Sequence, residues 1–135
     1  MTHDFFKELQ KEILEIKDRN PHLQSDAAFV AWFMRAFISD DEKQAVDSLT
    51  GKTGDKGLDA IYLDHDNRII FIIQGKYHQK NTSLEPRSAV LELADLGRAL
   101  IIERKEAYES ILHKANPAVK AALPEARKLI QQRDY

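Results

Sequence analysis

The feature that most constrains this chain is Ile69-Ile70-Phe71-Ile72-Ile73, an unbroken β-branched and aromatic run followed at once by Gln74-Gly75-Lys76. A run this short, with no polar position, predicts a central strand covered on both faces. Just ahead of it, Leu58-Asp59-Ala60-Ile61-Tyr62-Leu63-Asp64 has similar character, and His65-Asp66-Asn67 lies between the two. Two such runs around an Asp-Asn turn predict an antiparallel hairpin. A two-residue loop at Asp66-Asn67 pairs His65 with Arg68 and, counting back, Asp59 with Gln74. A four-residue loop moves Asp59 opposite Ile72 and leaves Gln74 on the diagonal. Either even loop gathers Asp59, Gln74 and Lys76 on one face, because residues two apart on a strand share a face, and a three-residue loop breaks the arrangement.

Helical periodicity surrounds the hairpin. Over residues 2–20, Phe6, Leu9, Ile13 and Ile16, with Phe5 and Leu14 beside them, mark an amphipathic helix that stops near Pro21. Residues 27–38, with Ser25 or Asp26 as cap, carry Phe29, Val30, Trp32, Phe33, Phe37 and Ile38 nearly all round the axis. That distribution predicts a buried helix with Trp32 in the core. Ser39 and Glu42 read as the capping box of a short third helix ending near Leu49. Residues 50–57, Thr-Gly-Lys-Thr-Gly-Asp-Lys-Gly, are a loop. Residues 85–114 are helical again, with Val90, Leu91, Leu93, Leu96, Leu100 and Ile101 on one face. Pro117 starts a last helix, which Pro124 should kink or divide. The class is α/β.

With 135 residues and 43% apolar content, the chain can bury a core of its own as one domain spanning residues 1–135. It ends directly on a helix, which reads as the N-terminal part of a longer protein. Cysteine is absent, which excludes disulfides and thiolate zinc sites. The histidines at 3, 22, 65, 78 and 113 show no helical ligand spacing. The net charge of −2 argues against a DNA binder that works by bulk positive charge, while leaving room for a locally basic groove. No apolar stretch approaches the ~20 residues of a membrane span, no signal peptide is readable, and the cytoplasm is the expected compartment.

The Asp59 carboxylate, the Gln74 amide oxygen and a nearby backbone carbonyl are hard oxygen donors that suit Mg²⁺, with Mn²⁺ as substitute. Lys76 beside them can orient or help deprotonate an attacking water and stabilise charge growing on a phosphate. Other polar residues have plainer readings. Asp55 is a turn residue, and Lys52, Lys56, Lys80 and Arg87 are more often solvated than bound to phosphate. Glu92 and Asp95, on the following helix, are more often exposed than catalytic. His78 shares strand parity with Gln74 and Lys76.

Gly54-Asp55-Lys56-Gly57-Leu58-Asp59-Ala60-Ile61-Tyr62 followed by Ile72-Ile73-Gln74-Gly75-Lys76-Tyr77 resembles the nuclease-like N-terminal region of AIPR proteins, which are linked to abortive-infection phage resistance. It is similar also to the wider Mrr-like branch of PD-(D/E)XK nucleases. The likeness covers residues 25–100. It implies a restriction-endonuclease-like αβββαβ core with helices flanking a small mixed sheet, cut short here before its last strand. It further implies Mg²⁺-dependent hydrolysis of DNA phosphodiester bonds, in phage defence or restriction; pairing as a homodimer is a separate expectation. Asp59 then matches the metal-binding aspartate, Gln74-Gly75-Lys76 the (D/E/Q)-X-K motif with Lys76 catalytic, and the Gly75 carbonyl joins the metal shell. The chain departs from the pattern twice. Gln74 removes one negative charge where an acid is usual, although QXK variants occur in active members of the Mrr branch. In the preceding helix, Val30 stands where many relatives have glutamate, which leaves Asp26, one turn earlier, as the candidate fourth ligand. The rival expectation is a nuclease-derived domain that binds nucleic acid or a partner protein without cutting. A third is a helical interaction domain that happens to carry a hairpin.

Overall fold

The structure, a computed structural model, describes residues 2–50, 59–76, 87–101, 105–132 and 135. It is α/β and mostly helical, and its sheet, among the described residues, is a two-stranded antiparallel hairpin. The three consecutive strands of an αβββαβ core are not found among those residues. The chain divides into two compact units, Met1–Leu49 with Gly75–Gln79, and Thr50–Gln74 with Lys80–Tyr135. Among the described residues no helix is long and apolar enough to cross a membrane.

The first unit is built from α1 (Thr2–Arg19), α2 (Ser25–Phe37) and α3 (Glu42–Asp47). Leu9, Ile13 and Ile16 fall at helical spacing on one face of α1 and are buried with Leu23, Ala28 and Ala31. Phe5 and Leu14, off that line, are exposed. The small side chains at 28 and 31 let α2 approach α1 closely, so α2 buries one face, Ala28, Val30, Ala31 and Met34, rather than its whole circumference. Phe33 and Phe37 are exposed, contrary to the sequence expectation, because their positions lie off that packed face. Trp32 is half-buried against the cluster, stacks on Phe29 with ring centres 6.0 Å apart, and donates its indole N–H to Glu12.

Capping differs from expectation at two helices. Gln24 occupies the N-cap of α2, and the Ser25 hydroxyl accepts from Lys17 Nζ at 3.1 Å. Asp41, not Ser39, caps α3, accepting from the Lys43 and Gln44 amides. Glu42 is therefore released from the capping box. It accepts from Arg19, Arg35 and Asn20, which fastens α3 to the ends of α1 and α2.

In the second unit β1 (Ala60–Asp64) pairs with β2 (Ile69–Ile73), with Ala60 opposite Ile73 and Asp64 opposite Ile69. Residues 65–68 form the connection, centred on Asp66-Asn67. The register is therefore the one expected for the shorter loop, although four residues lie outside the strands. Asp64 holds the turn by accepting from both the backbone and the side-chain amide of Asn67, and those two bonds keep its carboxyl below the usual range. Arg68 takes a positive φ of 58°, the left-handed conformation with which a turn of this length rejoins its strand. Ile69 at the start of β2 is exposed and the rest of the strand is half-buried, so β2 is not covered on both faces.

One face of the hairpin packs through Ile61, Leu63, Ile70 and Ile72 onto α4 (Arg87–Ile101), α5 (Lys105–Lys114) and α6 (Pro117–Gln131). On α4 the packing line is Leu93, Gly97 and Leu100, and a Cβ at Gly97 would stand 3.1 Å from Ile72. Val90, Leu91 and Ile101, expected on that face, are exposed beside it, and the Leu96 side chain lies outside the described residues. Val119, Leu123 and Ala126 of α6 are fully buried. The helix continues through Pro124 without division. Pro124 and Lys120 four residues earlier are both exposed, so water can take the carbonyl that the missing N–H leaves free.

Candidate functional site

Asp59 immediately precedes β1 and is half-buried. Its N–H donates to the Ile73 carbonyl at 2.8 Å, and its own carbonyl accepts from the Thr50 N–H at 2.8 Å. Since Ala60 is the ladder partner of Ile73, Asp59 and Ala60 together face one residue of β2, as in a β-bulge. A bulge re-aims the side chain of the extra residue, so simple alternation no longer tells which face Asp59 takes. At the other strand β2 stops at Ile73, and Gln74-Gly75-Lys76 has no regular structure. The parity argument that put Gln74 and Lys76 on a common face therefore loses its strand. What the hairpin does provide is proximity along the ladder: Asp59 sits beside the residue that leads directly into half-buried Gln74.

Gly75 and Lys76 belong to the first unit. A Cβ built on Gly75 would lie 2.7 Å from Val30 Cγ2 and 3.6 Å from the Phe29 ring. Glycine at the middle of the motif is thus required by its close approach to α2. Val30 is 2% exposed, and its methyl rests against this backbone where the sequence resemblance leads one to expect a carboxylate. Asp26 stands one turn earlier in the first turn of α2 and is exposed, as is Lys76.

Of the two carboxylates proposed as metal ligands, Asp59 is half-buried and Asp26 is exposed. Among the described residues no group of three His, Cys, Asp or Glu side chains is placed to hold a metal ion. One carboxylate with neutral oxygen donors suits an ion that keeps most of its waters, as Mg²⁺ does. Arg87 opens α4 in an exposed position, and Asp95 is exposed with Arg98 at 3.7 Å. Lys52, Asp55, Lys56, His78 and Lys80 lie outside the described residues, as does the side chain of Glu92.

Sequence reasoning missed Asn116. Buried at the N-cap of α6, it accepts from the Val119 N–H at 3.0 Å through Oδ1 and donates through Nδ2 to the Thr50 carbonyl at 2.8 Å. Thr50, 3% exposed, is the residue whose N–H holds the Asp59 carbonyl. Asparagine before Pro117 is a readable cap, but nothing local announces a partner 66 residues away. Comparison with family models, curated proteins and solved structures finds no match to this chain.

Proposed function

We propose that this chain carries a Mg²⁺-dependent nuclease site acting on DNA, with Asp59 as the charged metal ligand and Lys76 as the catalytic cation. The observation that carries this reading is the Asp59 N–H bonded to the Ile73 carbonyl, which seats an aspartate beside the residue leading into Gln74-Gly75-Lys76. The proposed core is that of the PD-(D/E)XK nucleases, and the work is phage defence or restriction. Mg²⁺, when bound, would polarise a water and neutralise charge on the scissile phosphate. Asp59 would hold that ion, with the Gln74 amide oxygen and the Gly75 carbonyl as further oxygen donors. Lys76 orients the water through its Nζ and stabilises the oxyanion that grows on phosphorus. Replacing Asp59 or Lys76 with alanine should reduce Mg²⁺-dependent DNA cleavage by ~10²-fold or more, as is typical for the loss of one preorganised charged group. Unchanged cleavage in both variants would sink the assignment.

A second reading is favoured by Val30. An apolar methyl, rather than an acid, packs against Gly75, and Gln74 adds no charge, so the donor set binds a divalent ion weakly. In that reading the domain retains the nuclease plan and binds nucleic acid or a partner protein without cutting. Calorimetry with Mg²⁺ and Mn²⁺ separates the two: no heat of binding at millimolar metal selects the non-cutting domain.

A further inference from the structure

We infer that Asn116 is the positioning residue of Asp59. The inference rests on the reading of Asp59 as a metal ligand, and its physical basis is a relay of three hydrogen bonds that starts from α6, the first from the Asn116 side chain and the other two between backbone groups. That helix is the most firmly seated element near the hairpin, with Val119, Leu123 and Ala126 fully buried. Pro117 at its first turn presets the backbone angle there, and the Val119 N–H fixes the Asn116 side chain by donating to Oδ1. Held in this way, Asn116 Nδ2 points at the Thr50 carbonyl. The Thr50 N–H in turn holds the Asp59 carbonyl, and the Asp59 N–H is held by Ile73.

Asp59 lies outside the regular ladder, so the strand alone does not determine its backbone orientation. Its N–H is tied to β2, and its carbonyl is tied, through Thr50, to the N-terminus of α6. A hard metal ion depends strongly on where its charged ligand points, and among the described residues no group of three acids or histidines is placed to share that load with Asp59. Groups that orient a ligand in this way typically change metal affinity 10–100-fold when removed. Asn116 is neutral and 6% exposed, and its two hydrogen-bonding atoms serve different partners, so capping and positioning can be separated by substitution.

Asn116→Asp keeps the acceptor that caps α6 and removes the donor to Thr50. Asn116→Ser also caps, through a hydroxyl too short to span to the Thr50 carbonyl, and introduces no charge. Asn116→Ala removes both functions. The intact chain is titrated with Mn²⁺ alone, following calorimetric affinity and paramagnetic broadening of the Asp59 amide resonance, and hydrogen exchange is read at the Thr50, Asp59 and Val119 amides. The expected result for the Asp and Ser variants is a ~10-fold or greater loss of Mn²⁺ affinity and ~10-fold faster exchange at Thr50 and Asp59, with Val119 still protected. Only the Ala variant should also expose Val119. Wild-type affinity in both capping-competent variants would overturn the inference, because a residue that serves only as a cap predicts that outcome. If the wild-type chain binds no Mn²⁺ near Asp59, the metal-ligand reading fails on its own account. Exchange at Asp59 then decides the role of Asn116: unchanged rates in both variants overturn it, and accelerated rates sustain it.

Discussion

Each unit is tied together by a polar side chain that reaches across the sequence, and the two ties are built on opposite principles. In the first unit Glu42 gathers Arg19, Arg35 and Asn20 at the molecular surface; its side chain is 24% exposed and that of Arg19 is 48% exposed. In the second, Asn116 serves Thr50 and Val119 while uncharged and buried. A charged, half-solvated tie is screened by water and salt and titrates with acid. A neutral, buried one does neither, and breaking it costs more than breaking a solvated one. Asn116→Ala should therefore have the largest effect on stability. Loss of the cap costs about 1 kcal/mol and loss of the buried hydrogen bond to the Thr50 carbonyl about 1–2 more, for a total of about 2–3 kcal/mol. Urea unfolding of the wild type and the variant at pH 7 and pH 3 should show the same difference at both values. A difference that disappears in acid would break the contrast.

Gly75→Ala comes next. The added methyl would stand 2.7 Å from Val30 Cγ2, and Val30 is buried and branched, so it cannot simply swing aside. Overpacking of this kind costs about 1–3 kcal/mol. The double variant Gly75→Ala with Val30→Ala should recover part of that loss, since the second change removes the clashing methyl. No recovery would show that the glycine is needed for some other reason. Glu42→Gln should cost about 1–2 kcal/mol at pH 7, the lower part of the range for charge-assisted bonds because Arg19 is half-exposed. The hydrogen bonds from Arg19, then those from Arg35 and Asn20, hold the Glu42 carboxyl down from 4.5 to about 2, against burial, which raises it. Because the folded value lies below the unfolded one, this stabilisation is complete above pH 5 or so and is lost as pH falls from 4.5 towards 2. Trp32 is the only tryptophan and lies in the same unit, so its fluorescence can follow the loss. Wild type and Glu42→Gln should converge at pH 2; a gap that persists there would refute the titrating tie.

The same contrast explains what could be read from the sequence. Features set by neighbours in the chain were legible: the 9, 13 and 16 stripe of α1, the paired apolar runs, and the Asp66-Asn67 turn that fixed the register. Features set by distant partners were not. The need for glycine at 75 depends on how closely it approaches Val30, and the exposure of Phe33 and Phe37 on the use of Ala28 and Ala31 as the face that meets α1. The candidate site divides along the same line. That Asp59 lies beside the end of β2 followed from hairpin symmetry. The bulge at Asp59, the Thr50 bond and the role of Asn116 arise from contacts that span the chain. Glu42 illustrates a related failure: its spacing from Ser39 fits a capping box, yet three stronger donors claim its carboxylate and Asp41 takes the cap.

The smallest expected effect lies at the purely local end of the hairpin. Arg68 holds φ at 58° without the freedom of glycine, a conformation that costs an L-residue about 1–2 kcal/mol. Arg68→Gly removes that cost but gives the unfolded chain more conformations to lose, which takes back about 0.5–1 kcal/mol. The balance is a gain of about 0.5 kcal/mol, visible as a small rise in the urea midpoint with the slope unchanged. Because Arg68 is exposed and the turn is held by Asp64 and Asn67 through bonds that do not involve it, the relay from Asn116 to Asp59 should be unaffected. Exchange at the Thr50 and Asp59 amides then stays at its wild-type rate. If Arg68→Gly instead accelerates exchange at Asp59, the two ends of the hairpin are coupled through the register, and the separation between local turn and long-range anchor has to be given up.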